Sequence, residues 1–401
     1  MSRIKIKNFG PIHEGFIEND GWMDIEKVTV LIGDQGSGKS TVAKLISTFS
    51  WIEKDLFRSA GTTSRFRKQE RLFKNYLIYH RIDGYLKDNT EIQYEGDAYN
   101  ITYKPGKNLN IQESNGHYNL PKITYYPAER NFVSSVKKSK GGQKLTLWSQ
   151  SLQEFKETFQ EAKESFKEKE TFHLPIGNVD IEYNKLNDIL YVKGADYKIQ
   201  LSDSASGFQS FVPVFVVANY VSKLLEKEQE MDEQQRDTFK KESAKILNDK
   251  TYTEEQKRIL LSNLAAQINI KHTINIVEEP EQNLFPTSQQ KVIHHLLEYN
   301  NTVKENKLII STHSPYILSA LNNSILAEEV FEKTGKSITA YGPEKRVAFV
   351  NVSAYQFKDG KIVSIKDGET KLIDAEAIDS CSAEINSDFD EMLDLLPEKE
   401  E

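Results

Sequence analysis

The run Gly33-Asp34-Gln35-Gly36-Ser37-Gly38-Lys39-Ser40-Thr41 carries the residue types that a phosphate cradle needs. Glycines let successive backbone N–H groups curl around phosphate oxygens, where a Cβ would obstruct the approach. Lys39 brings a point charge to the β- and γ-phosphates, and the Ser40 hydroxyl is a hard ligand for Mg²⁺. The apolar run Lys27–Ile32 before the loop reads as a strand. A helix from about Lys39 to Trp51 follows, aiming its positive end at the same anion. The spacing therefore predicts a site for ATP with Mg²⁺.

Two further strands end in reactive groups. Ile274-Asn275-Ile276-Val277 runs into Glu278-Glu279-Pro280. Neighbouring strand residues point to opposite faces, so the two carboxylates cannot share one task. Glu278 is the candidate for the Mg²⁺ shell, and Glu279 for orienting or deprotonating the attacking water. Pro280 stops the strand. Downstream, Lys307–Ser311 is a buried apolar strand that ends in Thr312-His313-Ser314-Pro315, which places His313 as a sensor of the γ-phosphate. Ala205-Ser206-Gly207-Phe208-Gln209 opens a helix far along the chain from the first loop. Ser206, Gly207 and Gln209 form a second anion-binding helix start if they meet the ATP of another copy. Taken alone, the segment equally fits a serine N-cap with a close glycine contact.

Around these groups the apolar pattern alternates between strands and helices. Ile4, Ile6, Phe16 and Ile17 read as a hairpin or short meander turned at Gly10-Pro11. Residues 90–127 alternate with period two and read as antiparallel strands. Leu152, Phe155, Phe159, Ala162 and Phe166 make one helical seam, too short for a coiled-coil arm, that packs on the body. Short strands are expected around 179–183 and 189–193, an exposed charged helical insertion from 222 to about 250, and a further helix from 253 to 268.

The chain has 401 residues, 38% apolar and 10% aromatic, enough for a large core and too much for a disordered protein. No apolar run approaches the roughly 20 residues of a membrane span, the N-terminus has no secretory h-region, and Cys381 is the only cysteine. The expectation is a cytoplasmic protein without disulfides, a Cys-based zinc site or a membrane partner. A net charge of −8 argues against nucleic-acid binding through overall charge. Basic stretches at Arg58–Arg81 and at Lys137, Lys138, Lys140 and Lys144 leave a local DNA contact open, beside the plainer reading of solvated faces.

In order along the chain, the Ile4–Gly10 segment, the phosphate loop, Ser206-Gly207-Phe208-Gln209, Glu278-Glu279-Pro280-Glu281 and Ser311–Pro315 resemble the motifs of ABC-class AAA-type ATPases. The closest group is the compact SMC-like, RecF-like and OLD-like heads. The resemblance spans roughly residues 1–50 and 200–360. It implies an α/β fold, an ABC-type P-loop ATPase head with an antiparallel β subdomain and helical insertions. One composite head is expected over 1–365, with its nucleotide lobe at about 1–50, 120–131 and 270–365 and its helical and β lobe at 51–119 and 132–269. An acidic tail at 366–401 is expected to follow. The resemblance also implies a homodimer or higher even oligomer in which two subunits sandwich two ATPs, Ser206 and Gly207 facing the opposite subunit's γ-phosphate. Tyr126-Pro127-Ala128-Glu129-Arg130 resembles a segment near the nucleotide in this group. The signature departs from the transporter pattern Leu-Ser-Gly-Gly-Gln, no transporter-like Gln loop is evident, and no nuclease domain is visible after the ATPase motifs. The whole chain is similar to stand-alone bacterial anti-phage ATPases that work with a separate effector, a nuclease or toxin. The alternative is a RecF/SMC-like DNA-repair ATPase that binds DNA directly.

Overall fold

The structure, a computed structural model, describes residues 2–58, 70–107, 109–114, 118–135, 148–167, 170–229 and 270–374, with isolated positions at 241, 244–246, 249, 387 and 392. Alternation builds the first lobe. In β1 (Ser2–Lys7), Ile4 and Ile6 are buried while Lys7 is exposed. It pairs antiparallel with β3 (Met23–Ile25) and β5 (Glu91–Glu95), and β6 (Tyr99–Tyr103) and β7 (Asn110–Glu113) complete the sheet.

The hairpin expected between Ile4–Ile6 and Phe16–Ile17 does not form, because β2 (Gly15–Phe16) belongs to a different sheet. Asn8 and Gly10 take left-handed φ values of 54° and 52°, and a Phe9–Ile12 bridge turns the chain out of the first sheet. Gly15 then passes so close to β1 that a Cβ there would lie 2.0 Å from the Ile6 carbonyl oxygen.

The second sheet carries the chemistry. Its order is β2-β16-β15-β4-β14-β13-β8, with β4 (Val28–Gly33), β8 (Pro121–Tyr126), β13 (His272–Glu278), β14 (Lys307–Thr312), β15 (Val352–Lys358) and β16 (Lys361–Ser364). From β15 through β8 every pairing is parallel. That corrects the antiparallel reading of Ile123 and Tyr125: β8 pairs parallel with β13, and its residues from Ile123 to Tyr126 are all buried, as a strand covered on both faces requires. A third, antiparallel sheet contains β9 (Thr171–His173), β10 (Asp180–Asn184), β11 (Ile189–Lys193) and β12 (Lys198–Gln200).

Period two divides the interior. Leu31, Ile276 and Ile309 face one core with Val42, Leu45, Ile46 and Phe49 of α1 (Lys39–Arg58) and the first lobe; α2 (Glu70–Tyr79) adds Phe73 and Leu77. Val30, Ile32, Val277, Leu308 and Ile310 face the opposite core. That core is built by α3 (Gln150–Glu164), α4 (Ser206–Gln229), α5 (Pro286–Asn300) and α6 (Pro315–Thr334). The phosphate-loop helix and the signature helix α4 thus lie on opposite faces of one sheet. The seam from Leu152 to Phe166 packs on this body as expected.

One helix, Ser206–Leu225, is long and apolar enough to cross a membrane by length and composition, unlike the expectation of no such stretch. Its Phe211, Val214, Val217 and Val221 are buried in the second core, which is what that composition serves. A hairpin of β17 (Lys366–Asp367) and β18 (Leu372–Ile373) lies within the residues expected as an acidic tail, and Ile373 is buried there. The expected helix at 253–268, the Lys137–Lys144 cluster, most of the charged insertion and much of the Arg58–Arg81 stretch lie outside the described residues.

Candidate active site

The strand β4 ends at Gly33, whose φ of 147° and Cβ position 2.4 Å from the Phe357 carbonyl oxygen admit only glycine. The loop then turns through Gly36 and Gly38 at φ 78° and 110° before α1 begins at Lys39. Lys39 is buried, and its ammonium donates to the carbonyls of Gly33 and Asp34 at 2.7 Å each. Ser37 Oγ lies 3.5 Å away, and burial lowers the lysine from 10.5 to about 8. Asp34, Gln35 and Gly36 form the exposed crest of the loop, Ser40 is half-buried, and Thr41 is buried.

Parallel pairing of β13 with β14 sets Glu278 opposite Ser311. Glu278 is buried: its Oε2 accepts from the Ala128 amide at 3.1 Å, while Oε1 has no partner. The Ser311 hydroxyl is likewise buried and unpartnered. Two orphaned hard oxygens at adjacent strand ends are what a Mg²⁺ shell uses, so the residues present fit the ion.

Glu279 sits just beyond the strand with a left-handed φ of 44°, its amide donating to the Ser311 carbonyl at 2.8 Å. This conformation turns the half-buried carboxylate toward His313, whose Nε2 lies 3.4 Å from Oε1. The contact with His313, above all, holds the Glu279 carboxyl below the usual carboxylate range. Glu281 secures the other side: its Oε1 accepts from Thr312 Oγ1 and the His313 amide, both at 2.8 Å. Burial raises its carboxyl above the ordinary value. Ser314 caps α6 by accepting from the Tyr316 amide, and its hydroxyl donates to Gln289 at 2.5 Å.

Ser206 opens α4 exposed to solvent. Gly207 packs against the turn after the acidic strand, where a Cβ would meet the Asn283 carbonyl at 2.8 Å. Gln209 turns back onto its own chain, donating to the carbonyls of Ser202 at 3.0 Å and Ser204 at 2.8 Å.

The structure therefore gathers Lys39, Glu278, Glu279 and His313 at neighbouring strand ends and leaves the Ser206 helix start on the other face. Sequence reasoning quoted Ser311 within its motif without giving it a role, since no local pattern reveals its register opposite Glu278, and missed Asn283, whose side-chain amide donates to Ser210 Oγ at 3.0 Å. In the Tyr126–Arg130 segment that resembles one near the nucleotide, the Arg130 guanidinium is fully buried and holds the carbonyls of Glu278 and Glu279.

Residues 28–319 match the family described as "AAA domain, putative AbiEii toxin, Type IV TA system". The chain belongs to this AAA-domain family. It is an ATPase, and it has the α/β fold expected from the sequence. Comparison with curated proteins gives no match. Among solved structures, this AAA-domain ATPase is similar to the SMC head domain from Thermotoga maritima, at 10% identity and TM-score 0.35, covering 90% of this chain and 97% of that one. An SMC head from Pyrococcus furiosus bound to the C-terminal domain of ScpA has 11% identity, TM-score 0.38, and coverage of 96% and 100%. The ATP-binding cassette MJ0796, a dimer with ADP and Pi, has 11% identity, TM-score 0.29, and coverage of 90% and 96%.

Proposed function

We propose that this ATPase is a cytoplasmic dimerisation switch: ATP with Mg²⁺ closes two copies around two nucleotides, hydrolysis reopens them, and the cycle controls a separate effector. One observation carries the reading. The two phosphate-directed helix starts, at Lys39 and Ser206, lie on opposite faces of one sheet, with Ser206 exposed. A signature so placed meets a γ-phosphate held by another copy. The family description names a putative toxin and a Type IV TA system, which is in keeping with a toxin–antitoxin setting. A separate nuclease or toxin as the effector and anti-phage defence as the setting rest on the motif resemblance.

In this scheme the amides of the Gly33–Lys39 loop bind the phosphates, and Lys39 exchanges its two loop carbonyls for β- and γ-phosphate oxygens. Ser40, Glu278 and Ser311 would hold Mg²⁺, which balances phosphate charge when bound. Glu279 accepts a proton from the attacking water as its oxygen bonds to the γ-phosphorus. The bond from phosphorus to the β–γ bridging oxygen breaks, yielding ADP and phosphate. His313 steadies the Glu279 carboxylate and reports the γ-phosphate. Ser206 and Gly207 complete the partner's site.

Complementation tests the composite site. Ser206→Arg and Lys39→Ala are each expected to be inactive, and their mixture to recover up to about half of the activity, since only one of two sites per heterodimer is then intact. Absence of recovery, with both variants folded and mixed dimers formed, rejects the shared site. Stimulation of the wild-type protein by duplex DNA alone, lost with salt, would instead favour direct DNA binding.

A further inference from the structure

Arg130 is the largest fully buried side chain among the described residues. Every hydrogen bond it makes goes to a main-chain carbonyl. Nη1 donates to Glu278 at 2.6 Å and Pro127 at 3.2 Å, Nη2 to Glu279 at 2.6 Å, and Nε to Ser210 at 3.1 Å. A buried cation is expensive to keep, and burial lowers this guanidinium from 12.5 to about 10. Its planar fork joins three segments distant in sequence: the end of β8, the hydrolytic carboxylate pair, and the first turn of α4.

Pro213 in α4 frees one carbonyl of that first turn for an outside partner. Proline has no N–H, so the Gln209 carbonyl four residues earlier loses its helical donor. Ser134, in the same 3-10 segment as Arg130, takes that carbonyl at 3.0 Å. Asn283, just past the carboxylates, holds Ser210 Oγ from the other side at 3.0 Å.

We propose that Arg130 is a positioning residue that couples the signature turn Ser206–Ser210 to the hydrolytic pair Glu278–Glu279, through its hydrogen bonds to the carbonyls of Ser210, Glu278 and Glu279. When a partner's γ-phosphate draws on the α4 start, displacement of the Ser210 carbonyl moves the guanidinium, and the guanidinium moves the backbone that aims Glu279. Hydrolysis is thereby tied to closure. This rests on the switch reading above.

The test is Arg130→Lys, which keeps the charge but loses the fork. Turnover at saturating ATP is expected to fall about 100-fold, the effect of a displacement near 1 Å at a reacting group. ATP affinity by calorimetry should stay within about threefold, because no phosphate contact is removed. In a Glu279→Gln background, ATP-driven dimerisation followed by sedimentation should require a higher ATP concentration once Arg130→Lys is added. Should Arg130→Lys fail to fold, Ser134→Ala removes one strut of the same link without burying a new charge, and should lower turnover about tenfold, with affinity again unchanged. Parental turnover, or turnover and affinity lost together, overturns the coupling role. If Glu279→Gln alone does not dimerise with ATP, the switch reading fails, and the split between turnover and affinity alone decides the role of Arg130.

Discussion

Glu279→Gln isolates the chemical role of one carboxylate more cleanly than any other substitution in this site. The backbone of Glu279 is fixed from both sides, its amide on the Ser311 carbonyl at 2.8 Å and its carbonyl under Arg130 Nη2 at 2.6 Å. Its φ of 44° is a strain that glutamine shares almost equally, so the substitution leaves the turn in place. What changes is the charge and the ability to accept a proton. His313 holds the native carboxyl below its ordinary range, so at neutral pH it is ionised and ready to act as a base. Loss of a positioned base lowers turnover by about 10² to 10⁴, which corresponds to roughly 2.7 to 5.4 kcal/mol in the barrier. Binding should hold or tighten, since the negative charge removed lies within electrostatic reach of Lys39 and the phosphates that replace its loop carbonyls. Steady-state phosphate release gives the first quantity and calorimetry with ATP and Mg²⁺ the second. Turnover within fivefold of wild type would refute the assignment of Glu279 as the base; loss of ATP binding would show instead that the carboxylate holds the nucleotide.

Two further outcomes follow from the same geometry. His313→Ala removes the largest influence that lowers the Glu279 pKa, so that pKa must rise and the acid limb of the pH–rate profile should move to higher pH; an unmoved limb would separate His313 from the carboxylate. Gly38→Ala places a Cβ 2.4 Å from Ile12 Cδ1 at a φ of 110°, and should destabilise the fold by about 1–3 kcal/mol in thermal or urea unfolding while weakening ATP binding.

Much of the site was legible because its groups sit at strand ends, where a hydrophobic run stops at a reactive residue. Lys39, Glu278, Glu279 and His313 could each be placed that way. Strand partners could not. The parallel register that brings Ser311 opposite Glu278 joins residues 33 apart, and although Gly10-Pro11 marked a turn, no local pattern shows that the Phe9–Ile12 turn sends β2 into another sheet. Tyr125 looked like the end of an antiparallel run because alternation cannot distinguish a strand's neighbours. The resemblance brought Arg130 near the nucleotide, but its burial among backbone carbonyls is set by packing that no local pattern reveals. Pro213 is a local sign that the Gln209 carbonyl must find its partner outside the helix.

The strand order has a consequence for synthesis. β1, β3, β5, β6 and β7 all come from the first 113 residues, so the small lobe can close early on the growing chain. The strand that carries the phosphate loop has no such local company. β4 is paired on one side by β14, at Lys307–Thr312, and on the other by β15, at Val352–Lys358. Until those residues emerge, its apolar run Val28–Ile32 has two unpaired edges, and pairings this remote in sequence form slowly. A nascent or truncated chain that ends before residue 307 therefore carries the phosphate loop without either flanking strand, and one that ends before residue 352 still lacks β15. Such a chain would expose an aggregation-prone edge rather than a partly working ATPase.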